Sequence, residues 1–130
     1  FKNNERVMYH EILQKMRTLG LTVYAPVEHE IENAWDLSNP EWGRKVFEAD
    51  VKAINDCDEV WVLNFGMYSD SGTAWECGYA YAKGKPVHQL LYGFDKEKVF
   101  SLMMVNGCSS WDFMENFIFD RNDTFPIEQK

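Results

Sequence analysis

The sequence predicts an α/β protein: a single doubly wound, mostly parallel sheet of the flavodoxin or Rossmann type, flanked by helices. Three observations predict it. Helical and strand-like segments alternate along the first 92 residues, as parallel strands joined by helical crossovers require. Glu59-Val-Trp-Val-Leu63 is an apolar run bounded by turn residues, the mark of a strand covered on both faces. The length, 130 residues and 15.3 kDa, suits one domain spanning 1–130 and is too short for two.

The first element is an amphipathic helix over 5–19. Met8, Ile12, Met16 and Leu19 recur at three- and four-residue spacing, and Gly20 supplies the stop. Leu21 to Ala25 reads as a buried strand ended by Pro26, and Val27 to Asn39 as a loop carrying Glu28-His29-Glu30. A second helix is expected from Asn39, as cap, with Pro40 in its first turn, to about Asp56. After the strand 59–63 comes a loop, Asn64 to Ser71, then a helix from about Gly72 to Lys83, stopped by Gly84 with Pro86 beyond it. Val87 to Tyr92 is the next strand, and a short helix is expected around 96–104. The chain opens directly in a helix, whereas a doubly wound domain begins with a central strand. An N-terminal strand is therefore expected to be missing from the residues shown.

Composition narrows the function. Hydrophobic residues are 45% and charged residues 26%, ordinary for a globular domain. Five Trp, six Tyr and nine Phe are a heavy aromatic load, which suggests apolar pockets or a subunit interface besides the core. The net charge of −8 repels phosphate backbones and anionic lipid, which argues against nucleic-acid and membrane-surface roles. No apolar run approaches the ~18 residues of a membrane span, and no signal peptide is visible at the start. Cys57, Cys77 and Cys108 are odd in number and lack CxxC spacing, so neither a disulfide framework nor a zinc site is indicated. A cytoplasmic location, no metal and no cofactor are expected.

Two carboxylates stand out. At ~100° per residue, Asp50 projects from the apolar arc of the second helix, between Val46 and Ile54. Partial desolvation there raises a carboxyl's pKa and suits it to hold or deliver a proton. A bond to a loop amide or a helix terminus explains it equally well. Glu76 is the only charge before Lys83 in a helix that is apolar or small on every side. Near the helix start it gains from the dipole, which favours the ionised form. The small residues Gly72, Thr73 and Ala80 leave room for a ligand beside it. A nucleophile or cation-stabilising group needs such a carboxylate; a buried ion pair is nearly as good an account. Asp70, just before that helix, is either the N-cap (a role Ser71 could also fill) or a ligand group at the strand's C-terminal end, where open α/β sheets bind. Cys77 reads as an inert core thiol, and His10, His29 and His88 as surface or satisfied core histidines. There is no GxGxxG and no P-loop.

Asp70-Ser-Gly-Thr-Ala-Trp-Glu76-Cys-Gly-Tyr-Ala-Tyr-Ala-Lys-Gly-Lys-Pro-Val87 resembles the signature of the nucleoside 2-deoxyribosyltransferases, in which an Asp stands six residues before a nucleophilic Glu. Softer matches run back through Phe47-Glu-Ala-Asp50 and Asp58–Leu63 and forward to Ser101-Leu-Met103, so the likeness covers about Leu21 to Gly107. It implies that Glu76 attacks the anomeric carbon of a 2′-deoxynucleoside, that Asp50 handles proton transfer to the departing base, and that Asp70 hydrogen-bonds the sugar hydroxyls. It also implies that Gly72 lies at the substrate, that Pro26–Glu30, including His29, lines the base pocket, and that Ser101 and Met103 reach a neighbouring subunit's site. The expected partners are a deoxynucleoside and a free nucleobase, within a homo-oligomer.

There are departures. The family's opening strand, with a Gly-containing loop and a Tyr that orients the nucleophile, would precede Phe1. Ser101 stands where the family commonly has Asn, as in related deoxynucleoside 5′-monophosphate N-hydrolases. Those hydrolases tend to place Ser where this chain keeps Asp70, and Asp70 would repel a phosphate, so an unphosphorylated nucleoside is preferred. Base exchange leads; N-glycoside hydrolysis of a nucleoside or nucleotide and a non-catalytic nucleoside-binding module are the alternatives.

Overall fold

The computed structural model describes residues 3–28, 38–64, 71–92 and 102–119. In chain order they form α1 (Asn3–Thr18), a 3-10 turn (Pro26–Glu28), α2 (Asn39–Asp56), β1 (Val60–Asn64), α3 (Ser71–Ala82), β2 (Val87–Leu91), α4 (Leu102–Gly107), β3 (Ser110–Phe113) and α5 (Met114–Phe119). The strands make one parallel sheet in the order β1-β2-β3, with Val60 opposite Val87 and His88 opposite Ser110. This is the expected α/β architecture of a parallel sheet flanked by helices.

Every position of β2 is buried, as a central strand covered on both faces should be. On one face Val62 and Val87 pack with Ile54 of α2, Cys77 and Ala80 of α3, and Met104 of α4. On the other, Trp61, Leu63 and Leu90 pack with Ile12 and Met16 of α1 and with Met114 and Phe117 of α5. The side-chain alternation of each strand thus divides the helices into two layers. Lys15 of α1 donates to the carbonyl of Phe117 (2.5 Å), tying α1 to the last turn of α5.

Two glycines stop helices as the sequence requires. Gly20 (φ 93°) and Gly84 (φ 74°) sit in the left-handed region that a side chain disfavours. At each, the following N–H reaches back five residues, Leu21 to Met16 (3.1 Å) and Lys85 to Ala80 (2.9 Å), which closes a Schellman cap.

Three expectations need correction. Leu21 to Ala25 is not a strand among the described residues. Leu21 and Val23 pack on the core and Ala25 is buried, so burial alternates along the run, but no ladder pairs it among the described residues. Arg17 donates instead to the Val23 carbonyl (3.2 Å), and Glu28 N–H to that of Ala25 (2.9 Å). The cap of α2 is Ser38, one residue before Asn39, because its hydroxyl accepts from the Glu41 N–H (3.3 Å). The late helix is α4, at 102–107 and not 96–104, and β3 and α5 follow where the sequence offered no clear reading.

Candidate active site

α3 carries Glu76, and its packing decides where that side chain goes. Cys77 and Ala80 are the helix's buried anchors against Val62 and Val87. Glu76, one residue from Cys77, is turned to the flank and is half-buried. α3 starts at Ser71, so Glu76 is in the second turn and not the first. The benefit of the helix dipole, which fades beyond the first turn, is therefore smaller than expected. Ser71 is inside the helix and is not its cap.

Asp50 lies on the neighbouring helix. α2 buries only Ile54 completely, and Asp50, four residues earlier on the same side, is half-buried. That burial raises its pKa above the ordinary carboxylate value. Phe47 of α2 meets Trp75 of α3 with ring centroids 5.2 Å apart, and the Tyr79 hydroxyl donates to Asn55 Oδ1 at 2.7 Å. These two contacts pack α2 against α3, the helices that carry Asp50 and Glu76.

A phenol adds to the setting from the opposite layer. Tyr9 of α1 has its pKa raised, first by burial, then by the carboxylate of Glu28 and, further down, that of Glu76, while Arg17 acts in the opposite sense. Tyr9 is thus within electrostatic reach of Glu76 and is held as a neutral donor. Glu28 is itself pinned by Arg17, whose two terminal nitrogens reach its two carboxylate oxygens at 2.8 and 2.5 Å. Tyr9 is not singled out by the sequence because it falls beside the Met8–Ile12–Met16 line. The available signal was an aromatic with a polar tip at the edge of an apolar stripe.

The other expected site residues divide. Gly72 is exposed in the first turn of α3, open to an approaching ligand. Met103 is 86% exposed on α4. Asp70, Ser101 and His29 lie outside the described residues.

Several polar groups are structural. His88 is a satisfied core histidine: Nδ1 pairs with the Ser110 hydroxyl (2.7 Å) and Nε2 with Glu59 (3.3 Å). That cluster sits at the start of the strands, away from the α3 N-terminus. Asn64, the last residue of β1, donates its amide to Gln89 Oε1 at 2.5 Å, and both are buried. The Cys77 thiol is pushed up to about 12, mainly by burial, which keeps it protonated and inert as expected. Among the described residues no group of three or more His, Cys, Asp or Glu could hold a metal ion. No helix among them is long and apolar enough to cross a membrane.

A half-buried carboxylate, a second carboxyl that retains its proton to higher pH and a neutral phenol donor are a sufficient set for displacement at a glycosidic carbon. The family model for nucleoside 2-deoxyribosyltransferase matches residues 1–115. Among solved structures, a 2-deoxyribosyltransferase from the psychrotolerant bacterium Bacillus psychrosaccharolyticus is similar, with 26% sequence identity and a TM-score of 0.74. The match covers 98% of this chain and 87% of that one. No curated protein sequence matches.

Proposed function

This chain belongs to the nucleoside 2-deoxyribosyltransferase family, and from that premise we propose that it exchanges the nucleobase of 2′-deoxynucleosides through a covalent deoxyribosyl-Glu76 intermediate, with retention. That it is an enzyme of this type rests on the family match and on the related structure. The observation that supports the mechanism is that Asp50 of α2 is half-buried with its pKa raised, while Glu76 is half-buried on α3, the helix packed beside it.

In the forward half-reaction a Glu76 carboxylate oxygen attacks C1′ and forms an ester, and the C1′–N bond breaks. The leaving base takes a proton from Asp50, whose raised pKa keeps that proton available. In the second half-reaction Asp50 recovers a proton from the incoming base, the base nitrogen attacks C1′, and Glu76 departs as carboxylate. Two inversions at one carbon give net retention. Tyr9, as a neutral phenol, helps to hold the region around Glu76. Asp70 is assigned to the sugar hydroxyls and Gly72 to close approach of the substrate. Ser101, Met103 and His29 are assigned to substrate contacts, the first two across a subunit boundary. Because Asp70 is an anion, the preferred donor is an unphosphorylated nucleoside.

Chromatography after incubation with deoxyadenosine, with and without free cytosine, tests this directly. New deoxycytidine that requires cytosine is the expected result. Deoxyribose with no exchange product would instead assign the chain to hydrolysis, and unchanged deoxyadenosine would assign it to binding without turnover.

A further inference from the structure

We infer that Arg17 and Glu28 are positioning residues: their ion pair latches the Pro26–Glu28 turn onto α1, and the latch sets how tightly the site holds a nucleobase. The role toward the base rests on the proposed reaction, the latch itself on geometry alone.

The first observation is how the run before the turn is held. A sheet ladder fixes a strand through a row of backbone bonds. Leu21 to Ala25 has no ladder among the described residues, so its placement depends on separate ties. The Leu21 N–H reaches the Met16 carbonyl (3.1 Å) in the cap of α1, and the Glu28 N–H that of Ala25 (2.9 Å) in the turn. Arg17 joins the rest of the segment to α1. Its Nη2 donates to the Val23 carbonyl (3.2 Å), and Nη1 and Nη2 reach the two Glu28 carboxylate oxygens at 2.8 and 2.5 Å. One rigid guanidinium fork thus holds the segment at two points, which a single ammonium could not do with the same geometry.

The second observation is where the latched turn lies. Burial and then the Glu28 carboxylate raise the pKa of Tyr9, with Arg17 opposing and Glu76 adding to the rise. One phenol on α1 is therefore close to both members of the latch and within electrostatic reach of the proposed nucleophile. The turn belongs to the surroundings of Glu76 and not to a remote surface. The residue that follows it in sequence is His29, assigned above to the substrate.

Exposure separates placement from stability. The Arg17 and Glu28 side chains are 39% and 35% exposed. An ion pair this open adds little to folding stability, but its two-pronged geometry removes orientational freedom from the turn. Without the latch the turn samples other positions. If it kept the latched one about one-tenth of the time, apparent affinity for a base lying against it would fall about ten-fold. Chemistry in the bound complex, where the turn is in place again, would suffer much less.

Arg17→Gln, Glu28→Gln, their double variant and Arg17→Lys test the inference. Hydrogen exchange over residues 21–28 reads the latch without substrate: it should quicken in both single variants while the melting temperature barely moves. In base exchange between deoxyadenosine and cytosine, KM for both should rise roughly ten-fold in each single variant, and kcat should fall much less. The double variant should be no worse than either single one, because the same pair is broken once. Arg17→Lys, which keeps the charge and loses the fork, should fall between wild type and Arg17→Gln. Calorimetric titration with adenine and with cytosine, neither of which turns over alone, should show the same ranking in Kd. A failure of the exchange reaction is thereby told apart from a failure of the latch. Unchanged hydrogen exchange, unchanged Kd, a loss of affinity that only follows a lower melting temperature, or a wild type that binds neither base would overturn the inference. So would a loss in Glu28→Gln that Arg17→Gln does not share, since Glu28 would then meet the base itself.

Discussion

α1 and α2 are helices of similar length, 16 and 18 residues, each with an apolar arc along one side. The resulting packing differs. α1 buries Ile12 and Met16 against the sheet and α5, and Leu13 is buried too, whereas α2 buries only Ile54. Its remaining apolar positions, with those of α3 beside it, stay half-open. The sealed side of the sheet contributes stability. The open side holds Asp50 in a setting that is neither water nor core, where a carboxyl keeps its proton to higher pH. The difference teaches that in this chain the proposed site lies where packing is incomplete.

The largest expected effect belongs to the open side. Glu76→Gln keeps the shape and most hydrogen bonding and removes the charge that would attack C1′. Turnover should fall by roughly three or more powers of ten, because the covalent route is lost. The melting temperature should hardly move, since an amide escapes the desolvation that a half-buried carboxylate bears. If Glu76 were instead half of a structural ion pair, stability would fall by about 3–5 kcal/mol and activity only with unfolding. Measuring melting and base exchange on one sample separates the two.

Asp50→Asn comes next. An amide cannot supply the proton that the departing base requires, so exchange should slow by about 10²–10⁴-fold. The loss should be smallest for a donor whose leaving group departs without protonation, such as a deoxyribosyl fluoride, assayed under the same conditions. Equal losses for natural and activated donors would remove Asp50 from proton transfer.

The sequence made much of this legible, and the reasons are specific. α1, α2 and α3 were readable because Gly20, Gly84 and the Ser38–Pro40 region punctuate long periodic segments. Asp50 was readable because a carboxylate in an apolar arc breaks the helical period. β3 was not, since Ser110-Trp-Asp-Phe113 is four residues with a buried serine, and that serine is there for His88, 22 residues away. Leu21 to Ala25 looked like a strand because its burial does alternate, but strand identity depends on a hydrogen-bonded neighbour that local sequence cannot supply. Tyr9 escaped for a related reason: its proximity to Glu28 and Glu76 comes from tertiary packing.

Truncations of similar kind on the two sides sharpen the comparison. Leu90, 1% exposed between α1 and α5, should cost about 2–5 kcal/mol when cut to alanine, through lost burial and a residual cavity. Tyr81, 63% exposed on α3, should cost within about 0.5 kcal/mol of folding stability when cut to alanine. Urea titrations at a concentration dilute enough to hold single chains give both values. A Tyr81→Ala loss as large as that of Leu90→Ala would mean that the open side is core after all.

The smallest effect is on stability and comes again from Asp50, whose carboxyl has its pKa raised by burial from the ordinary value of 3.8. A raised pKa in the folded state means that the folded protein binds the proton more tightly than the unfolded chain. The resulting stability is fully present below pH 3.8 and is lost as pH rises through the folded-state value. The amide of the Asp50→Asn variant has no proton to lose, so the variant escapes this loss. Asp50→Asn should therefore melt slightly above wild type at neutral pH, although its activity is low. The gap should close as pH falls toward the ordinary carboxylate range, where Asp50 is neutral in both states. Asp50 is half-exposed, so solvent screening keeps the gap small. Paired melting curves from acid to neutral pH would show it. A variant that melts below wild type at neutral pH, with a deficit that shrinks in acid, would reverse the sign, mark Asp50 as a stabilising anion and take from it the property that suits it to carry a proton.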